Sequence, residues 1–396
     1  MRIATVHYHL RPGGVTEVIR QNHRILTAAG ISHEIHCGHN PSDLPAIVDP
    51  ALDYGGNPFI GALASAGALL HFHNPCLGKN PTLTRLLPRL AERGEAMLLQ
   101  HHDLAEDGRP ELLAALDSVE MVYPFSSRIG HAFINSRDRD LFLRAGLPED
   151  RAFLLPNPST PLDLPPPPAG PACVLCPMRG LPRKNLGELL LLAACAPAGT
   201  RFLQGSAPRN AAWTANYDGW RSLADTLGLP IEFDVFARGR DAAFKRSTHL
   251  LTTSTQEGFG MIHLEAAHQR RVLGRRIPWL AADLVGFPDD GLYDALLIDG
   301  RDFPTWDLET QHRLIVEAAQ GHLDPEVIMG RGSAPLRTWL SHHLPRRRPA
   351  DASAALARHR DEAHLLRLTA AAGILLDSPP GPVTGLDRSI IAAFFS

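Results

Sequence analysis

At 396 residues, with 44% hydrophobic and 20% charged side chains, the chain is too long for one compact core and suits two domains of roughly 150–200 residues. A formal net charge of -3 leaves no general electrostatic case for nucleic acid as a partner. No apolar run approaches the ~20 residues of a membrane span, and Met1–Val6 is too short for a signal-peptide core. Five cysteines, an odd number without framework spacing, fit reduced thiols and a cytoplasmic location.

The first predicted element is a strand, Arg2–His7. Gly13-Gly14 follows it, and a helical pattern then runs through Val18, Ile19, His23 and Leu26 to close at Gly30. Two glycines at a strand-to-helix turn clear side chains from a place where a diphosphate or sugar can approach the backbone. The turn lacks the third glycine of a dinucleotide fingerprint. Residues 31–37, 68–74 and 97–103 read as further strands, the last two ending in His71-Phe72-His73 and His101-His102. These histidines invite a zinc reading, but acidic or cysteine partners are not near them in sequence, so no metal is assigned. Around Ala132–Ser136 a helical reading and a strand reading compete, and both stay open. Arg85, Arg89 and Arg93 share a helical face, which suits either peripheral membrane contact or plain solvation.

The run Pro161–Pro171, with Pro165–Pro168 consecutive, cannot pack as a helix or central strand and reads as a semi-rigid connector. A fresh α/β pattern begins after it. Residues 172–178 form a strand whose Cys173 and Cys176 are taken as core thiols, and a helix starts at Leu186. Between them lie Arg179 and Lys184, two fixed cations at a strand's carboxyl end, which suit a leaving diphosphate. Strands are predicted at 200–205 and 231–236. Thr248–Thr253 is another, followed by Ser254-Thr255-Gln256-Glu257-Gly258-Phe259-Gly260 and helical spacing through Ile262, Leu264, Ala266 and Ala267. Gly258 and Gly260 lie where a helix N-terminus faces a ligand, which makes an anion site. Such a site does not need acids, so Glu257 and Glu265 are assigned to sugar or ribose hydroxyls.

Two glutamates separated by seven residues, with Gly-Phe-Gly after the first, resemble the signature of retaining nucleotide-sugar glycosyltransferases of the GT-B fold, closest to family four. The resemblance covers most of residues 1–270 in motif order. It implies two Rossmann-like α/β domains facing across a cleft. The N-terminal, acceptor-side domain is 1–160, the linker 161–171 and the nucleotide-sugar domain 172–370, with a helix in 371–396 packing back on the first. It places Gly13 and Gly14 beside the donor and a functional histidine at His101 or His102, without choosing between them. Arg179 and Lys184 take the diphosphate, Phe236 and Arg238 lie on the base side, and Gly258, Phe259 and Gly260 form the donor turn. Glu265 is put on the ribose and Glu257 on the donor sugar. Protein cations replace a metal, so no cofactor is expected. Departures begin at Arg270-Arg271-Val272-Leu273-Gly274-Arg275-Arg276, where relatives carry Gly-x-Pro-Val and a Gly-Gly loop, and Asp289–Asp294 finds no interpretation.

The expected activity is transfer of a sugar from a nucleotide diphosphate-sugar to a carbohydrate or other hydroxyl acceptor, with retention. Alternatives are a sugar phosphorylase or nucleotide-sugar isomerising enzyme on the same fold, or a non-catalytic nucleotide- or sugar-binding protein.

Overall fold

Short apolar runs separated by amphipathic helices build two parallel sheets in this computed structural model. The structure describes residues 1–58, 67–107, 109–255, 257–265, 269–288, 290–293, 334–349 and 351–395. Gln256, Ala266, Ala267, Asp289 and Asp294 of the motifs above lie outside the described residues. The chain divides into Met1–Pro158 with Arg358–Ser396, and Ser159–Ala357.

The first unit holds β1 (Arg2–His7), β2 (Ser32–Cys37), β3 (Ile47–Val48), β4 (Leu69–His73), β5 (Ala96–His101), β6 (Pro124–Phe125), β7 (Ile129–Phe133) and β8 (Ala152–Leu154). Its sheet runs β3-β2-β1-β4-β5-β7-β8, every neighbour parallel. Strands buried on both faces explain the near-continuous apolar runs. Ala4, Val6, Leu70, Phe72, Met97 and Leu99 face one core with the Pro81–Glu92 helix. Ile3, Leu69, Leu98 and Ala132 face the other with Leu368, Ala371, Ala372 and Leu375 of the Asp361–Asp377 helix. The open choice near Ala132 falls to the strand, because Asn135 caps a helix that begins only at Ser136.

The second unit holds β9 (Cys173–Arg179), β10 (Arg201–Ser206), β11 (Ile231–Glu232), β12 (His249–Thr252), β13 (Arg271–Arg275) and β14 (Leu292–Tyr293), ordered β11-β10-β9-β12-β13-β14 and again parallel. The Leu186–Cys195 helix buries Leu189 through Leu192 against this sheet. The expected strand at 231–236 is short, because Asp234 turns left-handed (φ 57°) and the chain tightens into a 3-10 turn over Val235–Arg238. Cys176 is buried, and burial pushes its thiol up to about 12.

Two boundaries differ from the sequence expectation. The proline segment does not span freely but is strapped along the second unit. Leu162 N–H donates to the Glu265 carbonyl (2.6 Å) and Leu164 N–H to Gln269 Oε1 (2.6 Å). Arg270 Nη1 donates to the Pro165 carbonyl (2.9 Å), and Arg347 holds the carbonyls of Pro168 and Gly170. A chain without amide donors at proline offers carbonyls instead, and arginines collect them. The return to the first unit begins at Arg358, so the Asp361–Asp377 helix belongs to that unit, whereas the resemblance implies a second domain extending to residue 370. A break after Arg358 separates two helices, Ser353–Arg358 and Asp361–Asp377. Among the described residues no helix is long and apolar enough to cross a membrane.

Candidate active site

In the second sheet the chain leaves β9 toward β10 on one side, while β12 flanks β9 on the other, so β9 and β12 border the point where strand order reverses. Ligand crevices of open α/β sheets form there, at the strands' carboxyl ends. Arg179 ends β9, Lys184 follows in the 3-10 turn Pro182–Lys184, and Glu257 follows β12.

Lys184 Nζ forms a salt bridge with Glu257 Oε1, and both side chains are about seven-eighths buried (12% and 13% exposed). The backbone on each side is tied to the other. Thr253 Oγ1 donates to the Lys184 carbonyl (2.7 Å), Thr255 N–H to the Arg183 carbonyl (2.9 Å), and Trp279 Nε1 to the Glu257 carbonyl (3.1 Å). Burial alone would raise the Glu257 carboxyl. The Lys184 and Arg183 charges, with hydrogen bonds from Lys184 and Ser254, outweigh it and hold the carboxyl below its usual range. Arg179 is half-buried, and its guanidinium is destabilised first by burial and then by the neighbouring Arg209. An anion bound beside two neighbouring cations would relieve that repulsion.

Three supports fix this corner. Gly180 is required because a Cβ there would meet the Tyr217 ring at 2.1 Å. Gly260 sits at φ 70°, and its Cβ would lie 2.5 Å from Leu280 and 2.9 Å from His263. The third is a buried polar network. Asn185, in the left-handed region (φ 50°), caps the following helix at the Glu188 N–H (3.3 Å) and donates to Glu188 Oε2 (2.8 Å). Arg275 Nε (3.1 Å) and the Tyr293 hydroxyl also reach the Glu188 carboxylate. Glu188 and Arg275 are 0% and 5% exposed, so the pair locks the end of β13 to the residue after Lys184.

Other candidates separate. Glu265 is paired with Arg240 (2.6 Å), and Arg238 points outward to Glu232 (2.8 Å). Phe236 stacks on Phe244, and a Cβ on Gly205 would touch its ring at 3.0 Å, which places it beside the β9–β10 end. Phe259 is buried. His263, which had no assigned role, is buried beside the pair, with Nδ1 3.1 Å from the Gly260 carbonyl. Glu257 and Lys184 are among the charges acting on it.

In the first unit Gly13 is the N-cap of the Gly14–Ala28 helix, and a Cβ on Gly14 would meet open space. His101 shares strand parity with Met97 and Leu99 and so enters the core, stacked on His131 and Phe133, with Nε2 2.8 Å from His131 Nδ1. His102 turns the other way: Nε2 lies 2.8 Å from His73 Nδ1, and its backbone N–H meets Asn74 Oδ1 (2.7 Å). Of the two candidates His101 is thus a core residue. Among the described residues no three His, Cys, Asp or Glu side chains converge on a metal position.

No family model matches the chain. Over 93 residues it is 31% identical to mannosylglucosyl-3-phosphoglycerate synthase of Petrotoga mobilis, a match spanning 23% of this chain and only 18% of that relative. The solved lipopolysaccharide outer core galactosyltransferase WaaB superposes with a TM-score of 0.51 at 16% identity, over 94% of this chain and 99% of that one. HepE of Anabaena, solved with UDP, gives 0.54 at 14%, over 90% and 98%. The fold is that of the GT-B glycosyltransferases. Within a GT-B framework the Arg179–Lys184–Glu257 corner belongs to the second Rossmann-like unit, and the Gly13–Gly14 turn to the first.

Proposed function

We propose that the protein is a retaining glycosyltransferase that moves a sugar from a nucleotide diphosphate-sugar to an acceptor hydroxyl. The observation that carries this reading is the Lys184–Glu257 pair at the carboxyl ends of β9 and β12, with Arg179 as the last residue of β9. An ammonium paired with one carboxylate keeps two further N–H donors. Lys184 is therefore held in place by Glu257 while it and Arg179 meet the leaving diphosphate. Their fixed charges stabilise the negative charge that develops there as the glycosidic bond breaks. Glu257, held ionised, accepts hydrogen bonds from donor-sugar hydroxyls and orients the anomeric carbon, and the acceptor oxygen attacks on the face the diphosphate leaves. Glu265, already set by Arg240, takes the ribose hydroxyls, and Phe236 offers a face to the base. The protein's own cations fill the place of a metal. HepE, with the same fold, is solved with UDP, which supports a nucleoside diphosphate as the donor fragment.

The test is calorimetric titration with a panel of nucleoside diphosphates on wild type, Arg179→Ala and Glu265→Ala, followed by product NMR with the sugar conjugate of whichever binds. Binding lost in both variants and an axial or equatorial linkage matching the donor support the reading. Failure of every nucleotide to bind, or an inverted product, overturns it.

A further inference from the structure

We propose that the carboxyl ends of β1 and β4 in the first unit form a binding site for a small hydroxylated molecule carrying an oxyanion, phosphate or carboxylate. Its role as the acceptor of the transfer rests on the glycosyltransferase reading; the site itself does not. In this sheet too strand order reverses between β1 and β4, so the chain ends that follow them border a ligand crevice.

The donors there are set by a chain of hydrogen bonds. His9 Nδ1 accepts from the Arg11 N–H (3.4 Å), which leaves the ring proton on Nε2 to be donated to the Tyr54 hydroxyl oxygen (2.7 Å). Lys79 Nζ donates to the same oxygen (3.0 Å). With both lone pairs occupied, the Tyr54 proton has to be offered to something else. Lys79 and Arg11 lie over the Tyr54 ring at 5.1 and 5.7 Å, so two cations flank one donated hydroxyl. Asp53 engages Arg11 (3.2 Å) and leaves Lys79 in excess. The Tyr54 loop is fixed in turn, because Asn80 Nδ2 donates to the Asp53 carbonyl (2.9 Å). The Gly14–Ala28 helix starts beside Arg11 with no side-chain cap on its first N–H groups, and Gly14 leaves the approach open. Uncapped helix N-termini favour anions.

A second observation of a different kind points to the rest of the ligand. His7, 5% exposed, lies 2.9 Å through Nδ1 from the His73 carbonyl. A carbonyl only accepts, so the proton is on Nδ1 and Nε2 carries a lone pair. Among the described residues that nitrogen has no partner, its ring stands edge-on to His9 at 5.5 Å, and Lys79 acts on it. Burial holds the imidazole neutral, down to about 3. It is therefore an acceptor on a buried side chain, beside a group of donors. A hydroxyl next to an oxyanion satisfies both.

The experiment is calorimetric titration of the full chain, with and without UDP, using glucose 6-phosphate, gluconate, glucose and inorganic phosphate. One anionic polyol is expected to bind at least about tenfold more tightly than glucose, and whichever does so identifies phosphate or carboxylate as the group recognised. Lys79→Met and Tyr54→Phe, both on accessible side chains, should abolish that preference while circular dichroism and UDP binding stay as in wild type. Equal binding of charged and neutral sugars, no binding of any probe in either condition, or a preference that survives both substitutions overturns the proposal. UDP binding with none of these preferences leaves the transferase reading standing alone. A preference lost in the variants without any UDP binding keeps this site and removes the transferase reading.

Discussion

Lowering the pH from 7.5 to 5 should unfold the first unit. His7, His71, His73, His101, His102 and His131 are all at least nine-tenths buried on its central strands or the turns that follow them. Burial is the main cause that lowers each: His7 and His71 to about 3, His102 and His131 to about 4, and His73 and His101 well below the ordinary value. In the unfolded chain each titrates near 6.5. Above that value both states are neutral and stability does not change with pH. Below it the unfolded chain takes up protons that the folded one refuses, so stability falls continuously until the folded values of about 4 to 3 are reached. At pH 5, about 1.5 units below the unfolded value, each histidine costs about 2 kcal/mol, and six cost on the order of 12 kcal/mol. That equals the whole stability of an ordinary domain, about 5–15 kcal/mol. The assay is thermal and urea unfolding followed by near-ultraviolet circular dichroism, at constant ionic strength, every half unit of pH. Near pH 5 these six should contribute about six protons taken up on unfolding, with His33, His359 and His364 of the same unit, each lowered to about 4, adding to them; the uptake is countable from calorimetric enthalpies in buffers of different ionisation heat. A melting temperature that is flat between pH 7 and 5 would refute the argument, since it would mean these imidazoles are protonated inside the fold.

Other outcomes follow from the second unit. Arg179→Ala should lower turnover about 10²–10³-fold with the fold intact, measured by steady-state transfer kinetics. Glu188→Leu leaves Arg275 charged and buried and should cost about 3–5 kcal/mol in urea unfolding, while Glu188→Leu with Arg275→Met should recover most of it; equal losses in single and double variants would show that packing, not charge, dominates. Gly260→Ala forces an L residue to φ 70° and a Cβ to 2.5 Å from Leu280, so a loss of at least about 1–2 kcal/mol is expected by the same measurement.

Much of this was legible because parallel strands, buried on both faces, announce themselves as apolar runs. The Gly-bearing turn after Thr248–Thr253 and the cations after Cys173–Met178 could be placed at strand ends from spacing alone. What escaped was charge in the interior. Glu188 stands in a leucine-rich helix and Arg275 in a basic stretch, where solvent is the default, and only three-dimensional pairing reveals them as one buried unit. His101 and His102 are adjacent in sequence, and strand alternation alone sends one into the core; the same parity argument, started from Met97, would have separated them. His7 looked like the last residue of a strand, and its tautomer depends on a carbonyl on β4, far away in sequence. The proline run carries no helix or strand, as its composition predicts, but composition does not say which carbonyls Arg347 will collect.

The division of the chain has a consequence for its synthesis. Ser159–Ala357 is continuous, whereas the first unit is closed by a helix, Asp361–Asp377, whose His364 Nδ1 bonds the Pro156 carbonyl (2.9 Å) and whose Asp361 meets Arg24 (2.7 Å). On the ribosome the inserted unit is therefore complete first, while the strands that emerged earliest wait with one face of their sheet uncovered. Their apolar surface has to be sheltered through the translation of an entire second domain, which marks the nascent N-terminal half as the part of this protein most dependent on chaperones.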